Sequence, residues 1–209
     1  MSTMNTINFL LCGVGGQGTI LASDVLVNVG LAAGYQAKQA EVHGMSQRGG
    51  SVTSHVRWGK VIYSPLVGAG EVDVLLAFEK LEALRNLKFL RKNSLALINT
   101  QSIEPLTVIS GNMDYPDDIT IREAFNNLTS RVFYIDGQGI ANSLKNIRTA
   151  NVVLLGALAA LLERESMAIP DLTSKTWLNV ITERVPRKFV DLNTRAFQAG
   201  GEAITRQGR

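Results

Sequence analysis

Hydrophobic positions along the chain fall into short continuous runs separated by stretches with helical spacing, the pattern of strands alternating with helices. Ile7 to Cys12 is an apolar run that breaks at Gly13-Val14-Gly15-Gly16-Gln17-Gly18. It resumes with Leu21, Val25, Val29 and Ala32 on one helical face, Asp24 and Asn28 on another, and Gly34 as a stop. Strand, glycine turn and helix are predicted. In Ser51 to Tyr63, alternation through Val52, Ser54, Val56 and Trp58, a break at Gly59-Lys60, then Val61 and Tyr63 predict a hairpin. Val72 to Phe78 is uninterrupted, as in a strand buried on both faces, and a helix is expected from Glu79 through Leu81, Leu84 and Leu87.

Ser94 to Asn99 reads as the next strand. Thr120 and Glu123 have capping-box spacing, which predicts a helix to about Thr129, followed by a strand from Val132 to Asp136 and a short helix from Ile140 to Lys145. Asn151 to Arg164 is a strongly apolar helix. Asp171 is expected to cap another through Trp177 and Val180 to Arg184, and a last, charged helix runs from Arg187, frayed after Ile204. The fold class is therefore α/β: Rossmann-like, a largely parallel sheet with helices on both faces, one antiparallel hairpin and a helical C-terminal part from about residue 149. Residues 1–209 are expected to form a single domain.

Charge changes this picture little. The chain has 21 basic and 18 acidic residues, a net charge of +3, too small to announce a nucleic-acid or membrane-surface partner. The mild basic cluster Arg184, Arg187 and Lys188 lacks interleaved aromatics and reads as an exposed helix surface. The longest apolar stretch, Val152 to Leu162, falls short of the roughly 20 residues that cross a bilayer, and the polar start lacks a signal-peptide pattern. A cytoplasmic protein is expected, with no membrane and no nucleic acid among its partners.

The single cysteine, Cys12, with His43 and His55, cannot assemble a four-thiolate iron–sulfur cluster or a structural zinc site. No cofactor is expected on this chain alone, and any redox centre must sit on another.

Gly13, Gly15 and Gly18 have G-x-G-x-x-G spacing between a predicted strand and a predicted helix, the context in which such a turn brings backbone amides to an anion. Three readings stay open: a dinucleotide site with Glu41, about 20 positions on, at the ribose; another phosphate group; or a tight packing turn with no ligand. The segment Glu41-Val42-His43-Gly44-Met45-Ser46-Gln47-Arg48-Gly49-Gly50 is the second unusual stretch. It combines Arg48, a fork for carboxylate or phosphate, with His43, Gln47 and a glycine pair that admits close backbone approach. That mixture suits docking. Plainer roles remain: His43 bonding a carbonyl, Arg48 pairing with Glu41 or Glu79, Met45 filling a gap, His55 half-buried in a strand. Glu79 and Glu82 share a helix face, but their place at a helix start, near Lys80 and Arg85, fits the dipole better than acid–base chemistry.

The ordered motifs Gly13-Val14-Gly15-Gly16-Gln17-Gly18, His43-Gly44-Met45-Ser46-Gln47-Arg48-Gly49-Gly50-Ser51-Val52, Ala77-Phe78-Glu79-Lys80-Leu81-Glu82-Ala83 and Asn151-Val152-Val153-Leu154-Leu155-Gly156-Ala157 resemble the gamma-type subunits of 2-oxoacid:ferredoxin oxidoreductases, and within them the indolepyruvate branch. The resemblance implies a single pyruvate/ketoisovalerate oxidoreductase gamma-type domain. It also implies a reaction in which an aryl 2-oxoacid is decarboxylated on thiamine diphosphate, electrons pass through iron–sulfur clusters to ferredoxin, and the acyl group leaves on coenzyme A. Thiamine and clusters are then held by a large partner subunit, ferredoxin is met through the complex, and the isolated chain is expected to be inactive and open to homodimerisation. Gly13, Gly15, Gly16, Gln17, Gly18, His43, Met45, Gln47, Arg48, Gly49 and Gly50 are the expected partner or ligand residues, with coenzyme A at the interface. None is expected to act as acid, base or nucleophile. A free-standing NAD-dependent dehydrogenase and a non-enzymatic interaction module are the rival readings.

Overall fold

A computed structural model describes residues 6–43, 50–164, 169 and 172–207, the side chain of His43 excepted. The chain runs β1 (Ile7–Val14), α1 (Thr19–Ala32), β2 (Gln36–His43), β3 (Ser51–Gly59), β4 (Val72–Ala77), α2 (Lys80–Arg85), β5 (Leu90–Asn99), the single turn α3 (Leu106–Ile109), α4 (Asp118–Asn126), β6 (Val132–Ile135), α5 (Gly137–Ser143), α6 (Ala150–Arg164), α7 (Ser174–Arg184) and α8 (Val190–Gln207). The strands form one six-stranded sheet in the order β2-β3-β1-β4-β5-β6. β1, β4, β5 and β6 are parallel to one another, whereas β3 runs antiparallel to both β1 and β2.

Alternation along β1 builds the two sides of the core. Phe9 and Leu11 join a large cluster with α1, α6, α7 and α8, while Leu10 and Cys12 join a second cluster with Ala83, Ile121 and Phe125 from α2 and α4. Helices therefore cover both faces. α6 is buried along nearly its whole length, which explains its all-round apolar sequence. It packs against α8 at two glycines: a Cβ on Gly156 would stand 1.9 Å from the Phe197 carbonyl oxygen, and one on Gly200 1.9 Å from that of Val153.

The antiparallel pair lies elsewhere than predicted. β3 is one strand whose two edges are taken by β1 and β2, so no place is left for a strand beyond Gly59. Val61 and Tyr63 are accordingly loop residues, 53% and 91% exposed. Its partner is the polar segment Gln36–His43, which forms the sheet edge. Three ends also shift. α4 is capped by Asp117, whose side chain accepts from Thr120 N, rather than by Thr120. α7 is capped by Thr173, and Asp171 lies outside the described residues. α8 continues to Gln207, held by Nε2 donating to the Tyr134 carbonyl at 2.8 Å, so the helix does not fray at Ile204. Arg184, Arg187 and Lys188 are exposed, as expected, and Arg184 is tied to Asp24 of α1 at 2.8 Å.

Candidate functional site

β1 and β4 are parallel neighbours, yet the helices that follow them cover opposite faces, α1 with the larger core cluster and α2 with the smaller. Their C-terminal ends therefore flank a topological switch point, where open α/β sheets leave a crevice. The Gly13–Gly18 turn lies there.

That turn is filled from inside. A Cβ on Gly13 would stand 2.7 Å from Oε1 of Gln17, and one on Gly18 2.7 Å from Nδ2 of Asn151. Gly15 N donates to the Gly50 carbonyl at 2.9 Å. The space and the donor that such glycines offer a pyrophosphate are thus taken by the protein's own amides. Gly16, with φ of +100° and nothing within 4 Å of a Cβ position, faces outward. Glu41 sits in β2, which β3 separates from β1, far from the place of a ribose-binding acid. The dinucleotide reading is disfavoured on both counts.

Gln17 belongs to a closed ring of amides. Its Oε1 accepts from Val14 N at 2.7 Å, while Nε2 donates to the Phe78 carbonyl at 2.9 Å and to Gln101 Oε1 at 2.8 Å. Gln101 Oε1 also accepts from Gln138 Nε2. Gln138 Oε1 accepts from Asn99 Nδ2 at 2.8 Å, and Asn99 Nδ2 returns to the Phe78 carbonyl at 2.9 Å. Gly137 N donates to Asn99 Oδ1 at 2.9 Å. The ring thus ties the glycine turn to the ends of β4 and β5 and to the start of α5.

Beneath the crevice lie two buried carboxylates. Glu79 caps α2: one oxygen accepts from Glu82 N at 2.8 Å, the other from Ile103 N at 3.0 Å and from the Tyr115 hydroxyl. Glu82 accepts from Ser51 Oγ and pairs with Arg85 at 2.6 Å. Both carboxylates are committed to structure, although Lys80 turns to Asp118 rather than to them. Burial first, then Glu82 and Glu79, push the Cys12 thiol well above its ordinary range; such a thiol is inert. Burial and the Glu79 hydrogen bond raise Tyr115. His55 is more buried than expected, 5% exposed, and its Nδ1 accepts from Val67 N at 3.2 Å.

The two glycine-rich stretches meet, through Gly15 and Gly50. Register explains it: Val14 pairs with Ser51, so the C-terminal root of the second stretch must lie beside the first. Met45, Gln47, Arg48, Gly49 and the side chain of His43 lie outside the described residues. Asn99, Gln101, Gln138 and Asn151 were not foreseen; their one sequence signal is an amide placed just past or beside an apolar segment.

The pyruvate ferredoxin/flavodoxin oxidoreductase model matches residues 8–203. The chain belongs to that family. Within it, the chain is 38% identical over 201 residues to indolepyruvate oxidoreductase subunit IorB of Thermococcus kodakarensis, covering 96% of both proteins. It is 39% identical over 204 residues to the same subunit of Pyrococcus horikoshii, again covering 96% of both. Among solved structures, the gamma subunit of a keto/oxoacid ferredoxin oxidoreductase from Geobacter sulfurreducens superposes with a TM-score of 0.68 at 23% identity, over 96% of this chain and 99% of that one. The longer chain of 2-oxoglutarate:ferredoxin oxidoreductase from Magnetococcus marinus, solved with 2-oxoglutarate, coenzyme A and succinyl-CoA, gives 0.70 at 20% identity over 96% of this chain and 31% of that one. Those likenesses support the family's α/β fold for this chain. No helix among the described residues is long and apolar enough to cross a membrane.

Proposed function

We propose that this chain is the small subunit of a cytoplasmic, thiamine-dependent 2-oxoacid:ferredoxin oxidoreductase that takes indolepyruvate or a related aryl pyruvate. The observation that carries the reading is identity of 38% to 39% to indolepyruvate oxidoreductase subunits over nearly the full length of both partners. Thiamine diphosphate and the iron–sulfur clusters belong on a large partner subunit, since the only cysteine here is sealed in the core. This chain supplies no acid, base or nucleophile. It closes the mouth of the partner's thiamine site with the exposed edge of the glycine turn and with residues 43–50.

Coenzyme A, which accepts the acyl group, fits the second of these elements better than the first. The turn offers neutral amides above the buried Glu79 and Glu82, a poor setting for phosphates. Arg48 supplies the guanidinium that phosphates favour, and Gln47 and His43 add polar contacts. In the complex of both subunits, Arg48→Ala is expected to raise the KM for coenzyme A about tenfold or more while leaving that for the oxoacid within about twofold. Equal KM values for coenzyme A in the variant and the parent would remove Arg48 from the phosphate role.

A further inference from the structure

The polarity of the amide ring is set by backbone groups that can only donate. Gly137 N donates to Asn99, which makes its Oδ1 the acceptor and directs Nδ2 to Phe78 and Gln138. Val14 N donates to Gln17, which makes Oε1 the acceptor there and directs Nε2 to Phe78 and Gln101. The orientation of Gln101 follows from both sides: its Oε1 receives Nε2 of Gln17 and Nε2 of Gln138. No amide flip satisfies this ring equally well.

The accounting of hydrogens then singles out one residue. Gln17 and Asn99 spend both amide hydrogens inside the ring, and the Phe78 carbonyl accepts from each of them. Gln101 has both lone pairs of Oε1 engaged, while its NH2 group has no partner among the described residues and is not enclosed. Accepting hydrogen bonds at the oxygen of an amide polarises it and strengthens its N–H groups as donors. The half-buried Gln101 is anchored by its oxygen and presents these donors at the switch point.

We propose that Gln101 is a partner-binding residue: its NH2 group donates to a neutral carbonyl oxygen of the large subunit. The assignment rests on the proposed function above. A neutral acceptor is favoured over a phosphate because the neighbours in the ring are neutral amides, and of the two buried carboxylates Glu82 is paired with Arg85 whereas Glu79, which accepts from Ile103 N, has no cation paired with it among the described residues. Lys80, the cation closest in sequence to those carboxylates, is engaged by Asp118.

The test uses isosteric variants of the full chain and the thiamine-bearing subunit, with subunit affinity and melting temperature as readouts. Gln101→Glu keeps the oxygen that accepts from Gln17 and Gln138, so the ring stays closed, but replaces the outward donors by an acceptor. Its melting temperature is expected to fall less than that of Gln17→Glu, the added carboxylate lying at a half-buried position near Glu79, while the subunit Kd weakens about tenfold or more. Gln17→Glu does the reverse: it sets an oxygen against the Phe78 carbonyl and Gln101 Oε1, and the melting temperature falls. Gln101→Glu binding the large subunit as the parent does would overturn the assignment and leave the proposed function standing. Failure of the parent chain itself to bind would sink both.

Discussion

Gln17 lies where a side chain on Gly13 would have to be, with Oε1 2.7 Å from the Cβ position. The first glycine of the G-x-G-x-x-G turn is therefore required by a neighbouring amide rather than by a ligand. Phe78 Cβ, at 2.8 Å from the same point, closes the other side. Gly13→Ala is expected to displace Gln17 and open the ring, costing about 1–3 kcal/mol and lowering the melting temperature by roughly 2–12 °C. Gly16→Ala meets no atom and carries only the strain of a positive φ, about 1 kcal/mol. Thermal unfolding of both variants tests the contrast; equal losses would show that Gln17 does not fill the turn.

A filled turn has no place for a dinucleotide. Titration of the purified chain with NADH, followed by nicotinamide fluorescence and by calorimetry, is expected to give no saturable binding up to about 1 mM, the weak limit of specific affinity. Stoichiometric binding in the micromolar range would restore the dehydrogenase reading.

The contact of α6 with α8 depends on the absence of two side chains. A Cβ at either Gly156 or Gly200 would stand 1.9 Å from a backbone oxygen of the other helix. Backbone cannot yield as a flexible side chain can. Gly156→Ala and Gly200→Ala are each expected to cost about 3 kcal/mol or more, whereas Gly201→Ala, whose Cβ would stand 3.5 Å from the Gly156 carbonyl oxygen, should be neutral or stabilise by up to about 1 kcal/mol. Chemical denaturation of the three variants provides the comparison.

Burial holds His55 below its ordinary value of 6.5, and the neutral ring accepts from Val67 N through Nδ1. The unfolded chain takes up a proton near pH 6.5 while the folded chain still resists it. Stability from this group is therefore full above about pH 6.5 and is lost as the pH falls through the folded value, with a limiting slope of about 1.4 kcal/mol per pH unit. Unfolding free energies of the parent and His55→Gln between pH 7.5 and about 5 should converge as the pH drops. A constant difference would exclude His55 as a source of acid sensitivity.

Much of the fold was legible because the signals are local. The apolar runs at Ile7, Val72 and Leu95, the glycine turn, and the uniformly apolar α6 each announce their place without knowledge of the rest. Pairing is not local. The alternation at Val61 and Tyr63 looks like a strand, but both edges of β3 are occupied, and the polar β2 is a strand because the edge beside β3 accepts it. The site divides in the same way. Gly13 to Gly18 stood out as a motif, yet Gln17, which fills it together with Asn151, is held by a ring through Phe78, Asn99, Gln101 and Gln138 that the parallel order of β1, β4 and β5 brings together. No spacing rule reaches that far along a chain.

The most direct test is anaerobic dye reduction by the thiamine-bearing subunit, given indolepyruvate and coenzyme A, with and without this chain. The account expects turnover to require the chain, or to rise at least about tenfold when it is added, a change well above assay error. A stable complex with no turnover on any aryl 2-oxoacid, with or without the chain, would contradict the proposed activity and leave an interaction module in its place.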